Sequence, residues 1–210
     1  MVNDDARLLD AGACQLEAWV RRDAGATEYW ALPACNPWGN AELSFGGALT
    51  RAEGRTRFSD NQAQAKLLFK PYEPGSWGVG AAVGTARRLQ RQTARGWPGD
   101  AYFYVPVSFD AGSDELVLHV NAGAAHHRDE HRTQATWGLG AEARINPRLY
   151  FIPEAFALDR GRPFFQAGLR FWVVPDRMQV DATYGNRLVS ESRDRWFSIG
   201  MRLLSPRWFP

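Results

Sequence analysis

Hydrolytic chemistry needs a nucleophile, a base and an orienting group in contact. The residues of this chain that come nearest to such a set are Ser108, His119 and Asn121. His119 and Asn121 share one face of an alternating stretch, and Ser108 lies on the stretch before it. That position is deep in the expected interior, where a lipid acyl chain has poor access. A lone inward histidine is read as a member of a polar network, so no catalytic set is assigned. The run His126-His127-Arg128-Asp129-Glu130-His131 carries transition-metal ligand types. Its spacing matches no specific site, so it reads as a solvated loop tip and no metal is expected. There is no phosphate-cradling glycine loop and no CxxC pair. Gly78-x-Gly80 lies within a strand pattern rather than before a helix. No cofactor is therefore expected. A formal charge of only +2 and the lack of a nucleic-acid motif give no reason to expect nucleic acid as a partner.

The elements that must position these residues are strands. From Cys14 to Leu204, apolar residues recur at every second position in stretches of about ten, opposite a polar or glycine face. Leu116-x-Leu118-x-Val120-x-Ala122 and Phe197-x-Ile199-x-Met201-x-Leu203 are examples. About twelve stretches are expected, near 14–23, 27–36, 41–51, 61–72, 77–88, 101–110, 115–126, 134–145, 149–159, 164–174, 178–187 and 195–204. Tight connections rich in turn formers, such as Asn36-Pro37-Trp38-Gly39-Asn40 and Asn146-Pro147-Arg148, alternate with mostly longer ones near 52–60, 89–100, 127–133, 160–163 and 188–194. Short periplasmic turns and longer extracellular loops are the habit of outer-membrane barrels.

A soluble sandwich would share the alternation. Two details turn the apolar face toward lipid. The polar face carries small residues, Gly78, Gly80, Ala82, Gly84, Gly138 and Gly140, which a narrow interior needs and a solvated surface does not. Aromatics also gather at strand ends. Tyr29, Trp30, Trp97, Tyr102, Phe103, Trp137, Phe164, Phe165 and Trp196 are expected at the outer rim, and Trp38, Tyr72, Trp77, Tyr150 and Phe151 at the inner one. The expected fold is an all-β, closed antiparallel transmembrane β-barrel, an up-and-down meander of one domain. Residues 1–13 are expected as a periplasmic N-terminal segment and 205–210 as a short tail. The start Met1-Val2-Asn3-Asp4-Asp5 is polar, so a secretory signal is expected to have been removed.

The first hairpin fixes a register. If Ala24-Gly25 is a two-residue turn, Arg21 faces Glu28, Trp19 faces Trp30 and Cys14 faces Cys35. The chain has two cysteines, and opposed positions on antiparallel strands can be bridged. An oxidising periplasm would preserve the Cys14–Cys35 bond.

If the apolar face meets lipid, the other lines a lumen. That set includes Glu17, Arg21, Glu42, Lys66, Lys70, His119, Asn121, Glu142, Arg144, Glu154, Arg170, Asp181 and Arg202. Both signs are interleaved, and confined charges should pair across strands. Glu142 and Glu154 would need an arginine between them, for which Arg144 or Arg170 is placed.

The last strand, Phe197-x-Ile199-x-Met201-x-Leu203, resembles the C-terminal insertion signal of bacterial outer-membrane proteins. That pattern usually ends on an aromatic residue, whereas here Ser205-Pro206-Arg207-Trp208-Phe209-Pro210 follows. Asp4-Asp5-Ala6, Cys14-Gln15-Leu16-Glu17-x-Trp19 and Pro33-Ala34-Cys35-Asn36 resemble the start of a group of small, uncharacterised proteobacterial outer-membrane proteins. The resemblance brings no activity with it.

Three roles follow. The lumen is a narrow passive pore for small polar solutes, or it is closed and the barrel is structural or interactive, or the barrel modifies lipids. Twelve strands lie between the filled eight and the open sixteen. A monomer in contact with outer-membrane lipids is expected. Arg51, Arg55, Arg57, Arg88, Arg91, Arg95, Arg128, Arg132, Arg160, Arg162, Arg187, Arg193 and Arg195 fall at the expected outer end, where lipopolysaccharide phosphates would attract them.

Overall fold

The computed structural model describes residues 3–88, 99–112, 115–158, 161–188 and 194–208. Twelve strands follow one another: β1 (Ala13–Arg22), β2 (Ala26–Cys35), β3 (Ala41–Ala52), β4 (Arg55–Lys70), β5 (Trp77–Arg88), β6 (Asp100–Asp110), β7 (Leu116–His127), β8 (Arg132–Asn146), β9 (Leu149–Leu158), β10 (Phe164–Val174), β11 (Met178–Arg187) and β12 (Trp196–Arg207). Each pairs antiparallel with the next, and β1 pairs with β12 to close the barrel. Among the described residues there is no helix long and apolar enough to cross a membrane.

Side-chain parity follows the sequence pattern. Phe45, Val83 and Ile199 face outward, with 62%, 59% and 56% of their surface exposed. Lys66, Ser108, His119, Glu142 and Glu154 are buried on the inner parity. An outer belt of this kind is stable only against a non-aqueous medium, where a charge would cost about 2–4 kcal/mol.

The first hairpin has the register read from its turn. Arg21 pairs with Glu28, Trp19 with Trp30 and Cys14 with Cys35, and the two sulfurs are bonded. The disulfide sits beside the start of β1, where the preceding chain leaves the wall.

Four expectations are corrected. The loop expected over 52–60 is a hairpin: β3 runs to Ala52, β4 starts at Arg55, and only Glu53 and Gly54 lie between, both with positive φ. Arg55, Thr56 and Arg57 look like loop residues but pair with Ala52, Arg51 and Thr50. A register shift there sets Ser59 apart, and its hydroxyl donates to the Ala48 carbonyl at 3.2 Å. The 127–133 loop likewise shrinks to 128–131. The strand bounds leave residues 89–99 between β5 and β6 and 188–195 between β11 and β12. Second, β12 extends to Arg207, which pairs with Ala13, so the tail begins later than 205.

Third, the rims have different members. Tyr29, Phe103 and Trp137 are outward and exposed at the long-loop end, as are Trp77 and Phe151 at the other. Trp30, Tyr102, Phe164 and Trp196 instead share the inner parity with Glu28, Gln64, Gln166 and Ser198. Tyr150 also faces inward, in register with Arg170. Aromatics suit either side of a wall near its edge, so residue type alone misplaces them. Fourth, a bulge between Leu68 and Lys70 puts Lys70 out of phase with the lumen. Its Nζ lies 4.1 Å from the centre of the outward Trp77 ring and donates to Ser76 Oγ at 3.1 Å. Trp97, Arg91, Arg95, Arg160 and Arg193 lie outside the described residues.

The disulfide closes a loop of sequence separation 21. Cys35→Ser should lower unfolding stability by about 3 kcal/mol. Urea titration in detergent, followed by the heat-modifiable gel shift, measures this; an unchanged midpoint would show that hairpin pairing alone sets the register.

Candidate functional site

The site is the lumen, and its occupant is residues 3–10 of the chain. The sequence reading leaves residues 1–13 as a periplasmic N-terminal segment. In the structure, residues 3–10 run inside the barrel from the short-turn end, with Ala6 and Leu9 almost fully buried. At the mouth, Gly12 donates to the Asn36 carbonyl at 2.7 Å and accepts from the Trp208 amide at 2.7 Å. Leu9 packs there with Ala13, Ala34 and Leu204. The segment then climbs to Asn3, which reaches Glu154, about half-way along β9.

The wall holds this segment largely by its backbone. Glu42 accepts from the Leu9 amide at 3.3 Å, and Asn36 Nδ2 donates to the Leu9 carbonyl at 2.6 Å. The Ala6 amide donates to Ser108 Oγ at 2.8 Å, and the Ala6 carbonyl accepts from the Tyr72 amide at 2.9 Å. Asn121 makes a two-way clasp on Asp4, accepting its N–H at 3.1 Å and donating to its carbonyl at 2.8 Å. Glu154 accepts the Asn3 amide at 2.7 Å and also receives Gln166 Nε2. Asn3 Nδ2 donates to the Leu139 carbonyl at 2.8 Å. A chain so matched has its buried amides satisfied, as a segment inside a barrel requires.

Charge is matched as well. Lys66, the one lysine inside the lumen, is buried and meets Asp4 at 2.7 Å and Asp5 at 3.4 Å. Tyr104 adds a donor to Asp4 at 2.6 Å. Glu142 lies between two guanidiniums, Arg7 at 2.8 Å and Arg170. Of the two arginines expected between Glu142 and Glu154, Arg170 therefore serves Glu142. Arg144 is exposed at the short-turn mouth. Asp181 stands opposite Arg170 in register, and Arg202 reaches Gln15 and, at 3.6 Å, Glu17. From the segment, Arg7 also covers the Tyr72 ring at 4.6 Å. Burial and the bond to Asp110 push the Tyr72 hydroxyl up to about 12, so it remains the donor.

Ser108 and His119 do meet, with Oγ 2.8 Å from Nδ1. Ser108 Oγ also accepts from the Ala6 amide, and the His119 tautomer sets which of Oγ and Nδ1 donates to the other. His119 Nε2 is then 3.9 Å from Glu142. Asn121 takes no part, being spent on Asp4. Ser108 is fully buried and acts as a bracket for the segment rather than facing an open cleft.

Glycines make the room. A Cβ on Gly138 would lie 1.7 Å from Asn3 Oδ1, and one on Gly140 3.3 Å from Asn3 Nδ2. Above Asn3 the lumen is aromatic. Trp19 and Trp30 stack at 5.3 Å, and Phe156, Phe164 and Trp196 pack within 6.4 Å of one another. Arg21 covers the Trp196 ring at 4.5 Å, and Arg187 covers Phe164 at 4.3 Å. Sequence reasoning missed both layers. The available signals were the Asp4-Asp5-x-Arg7 cluster, complementary to Lys66 and Glu142, and inner-face glycines in excess of what turns require.

Lys66→Glu, which sets a like charge against Asp4 and Asp5 in the middle of the lumen, should expel the segment while leaving the barrel closed. Trypsin should then cut after Arg7 in the variant and not in the parent protein, with the heat-modifiable shift retained in both. Equal cutting in the two would place the segment outside the lumen.

No curated protein matches the chain in sequence. Several solved structures match its shape. The KdgM porin in complex with disordered oligogalacturonate superposes with a TM-score of 0.67 at 11% identity, covering 90% of this chain and 98% of that one. The NanC porin gives 0.65 at 13% identity, with coverage of 90% and 98%. The COG4313 outer membrane channel from Pseudomonas putida F1 gives 0.61 at 11% identity, with coverage of 97% and 98%. At such identities the likeness is one of fold, that of outer-membrane barrels. The sequence itself matches one family profile, over residues 1–204. The chain belongs to that family, described as uncharacterised conserved protein UCP029691.

Proposed function

We propose that this protein is a bacterial outer-membrane barrel that passes small polar solutes through a narrow lumen, and that residues 3–10 are its internal stopper. The observation that carries this reading is the kind of contact the segment makes. It meets the mid-lumen wall through hydrogen bonds and ion pairs, at Lys66, Ser108, Asn121, Glu142 and Glu154. Those mid-lumen contacts can be exchanged for water, and the apolar packing of Leu9 with Ala13, Ala34 and Leu204 is confined to the mouth. The wall left behind is polar and of mixed charge, as a solute path needs. The apolar outer belt supports membrane placement, and the fold shared with barrels described as porins or a channel supports passage. The lipid-modifying role finds no support in the burial of Ser108.

A second reading, a permanently closed structural barrel, is favoured by the number of anchors on the segment. Planar-bilayer conductance separates the two. The full chain should be nearly silent, and a chain lacking residues 3–9 should give stable unitary steps. Silence from both would favour the closed barrel; equal steps from both would remove the stopper from the reading. Heat-modifiable migration establishes that each protein has folded.

A further inference from the structure

The outer wall carries a depression that the lumen does not explain. Across β12, β1, β2 and β3 the register brings Phe197, Arg22, Thr27 and Arg51 into one row. The next outward row, toward the barrel's middle, is Ile199, Val20, Tyr29 and Leu49. Between these rows lies a groove of about 500 Å³ that includes Arg22 and Arg51. Its apolar floor is well exposed: Val20 by 41%, Tyr29 by 42%, Phe197 by 49% and Ile199 by 56%. A second hollow, of about 240 Å³, continues toward the hairpin tips. It shares Arg22, Thr27 and Arg51 with the first and adds Asp23 and Glu53. Arg22 and Arg51 are exposed, and among the described residues neither makes an ion pair.

We infer that this two-part groove binds one phosphorylated, multiply acylated glycolipid of the outer leaflet. An acyl chain would lie along Val20, Tyr29 and Ile199. The headgroup phosphate would bridge Arg22 and Arg51, whose forked guanidiniums suit phosphate oxygens. Glu53 would accept from sugar hydroxyls, because Asp23 is already spent on the Gly25 and Ala26 amides. Two arginines straddling one threonine, at the line where the belt stops being apolar, complement an anion at headgroup depth. Cations deeper in the belt would be costly, and cations on the loops would not reach an acyl chain. The inference rests on placing the long-loop end at the cell surface, as in the outer-membrane reading above.

Native mass spectrometry of the detergent-purified full chain, titrated with lipid A, tests it. One lipid A should be retained. Arg22→Gln/Arg51→Gln should weaken retention at least tenfold, as should removal of the lipid A phosphates. Arg148→Gln, exposed at the opposite end, should leave it unchanged. Equal retention by the double variant, equal retention of phosphatidylglycerol, or a comparable loss with Arg148→Gln would overturn the site. Labelling a cysteine placed at 128–131 on intact cells reads the orientation separately. Failure to label would overturn the membrane placement, whatever the lipid titration gives.

Discussion

In hydrocarbon no backbone N–H or C=O can be left without a partner, and the pairing of β1 with β12 meets that demand for the whole chain. Closure makes the other features follow. With no free edge, each strand has one face to the outside and one to the inside, so a period of two becomes a division between two solvents. The outer one selects Phe45, Val83 and Ile199; the inner one admits Lys66, Glu142 and Glu154. Closure also confines the inner face. A charge there cannot swing into bulk water, so each must find a partner across the lumen or from something that enters it.

That second consequence explains the N-terminal segment. Removing a partner from a buried ion pair costs about 3–5 kcal/mol. Lys66 makes its ion pairs with Asp4 and Asp5 of the segment, while the wall sets Glu42 opposite it in register. Glu142 pairs with Arg170 of the wall and with a second cation that the wall does not supply, Arg7. The segment thus adds counter-charges to wall groups that already face opposite charges on the wall. Gly138 and Gly140 complement the segment in shape, since the space they leave is taken by Asn3.

The sequence was most legible where one local rule governs many residues. The Cys14–Cys35 bond and its register follow from a turn at Ala24-Gly25 because pairing in a hairpin is arithmetic. The same arithmetic fails at Lys70, where a bulge inserts one residue and reverses the side. It fails over 52–60 because Arg55, Thr56 and Arg57 pair outside the apolar belt, where alternation has no solvent boundary to enforce it. Trp30 and Trp196 were ambiguous because an indole is content in an interface or in an aromatic layer. Residues 3–10 were illegible for a deeper reason. They have no period, being neither helix nor strand, and their partners lie as far away as Glu154 in sequence.

The disulfide beside the mouth has a further consequence. Where the segment leaves the wall, Gly12 is held by Asn36 and Trp208, and Cys14 is bonded to Cys35. A segment that left the lumen would remain on a leash of a few residues. It would compete with any solute as a tethered ligand, at an effective concentration on the order of millimolar. On the proposed function, occupancy of the lumen would be set by solute concentration against a fixed internal competitor, and would not change with how many copies of the barrel the membrane holds.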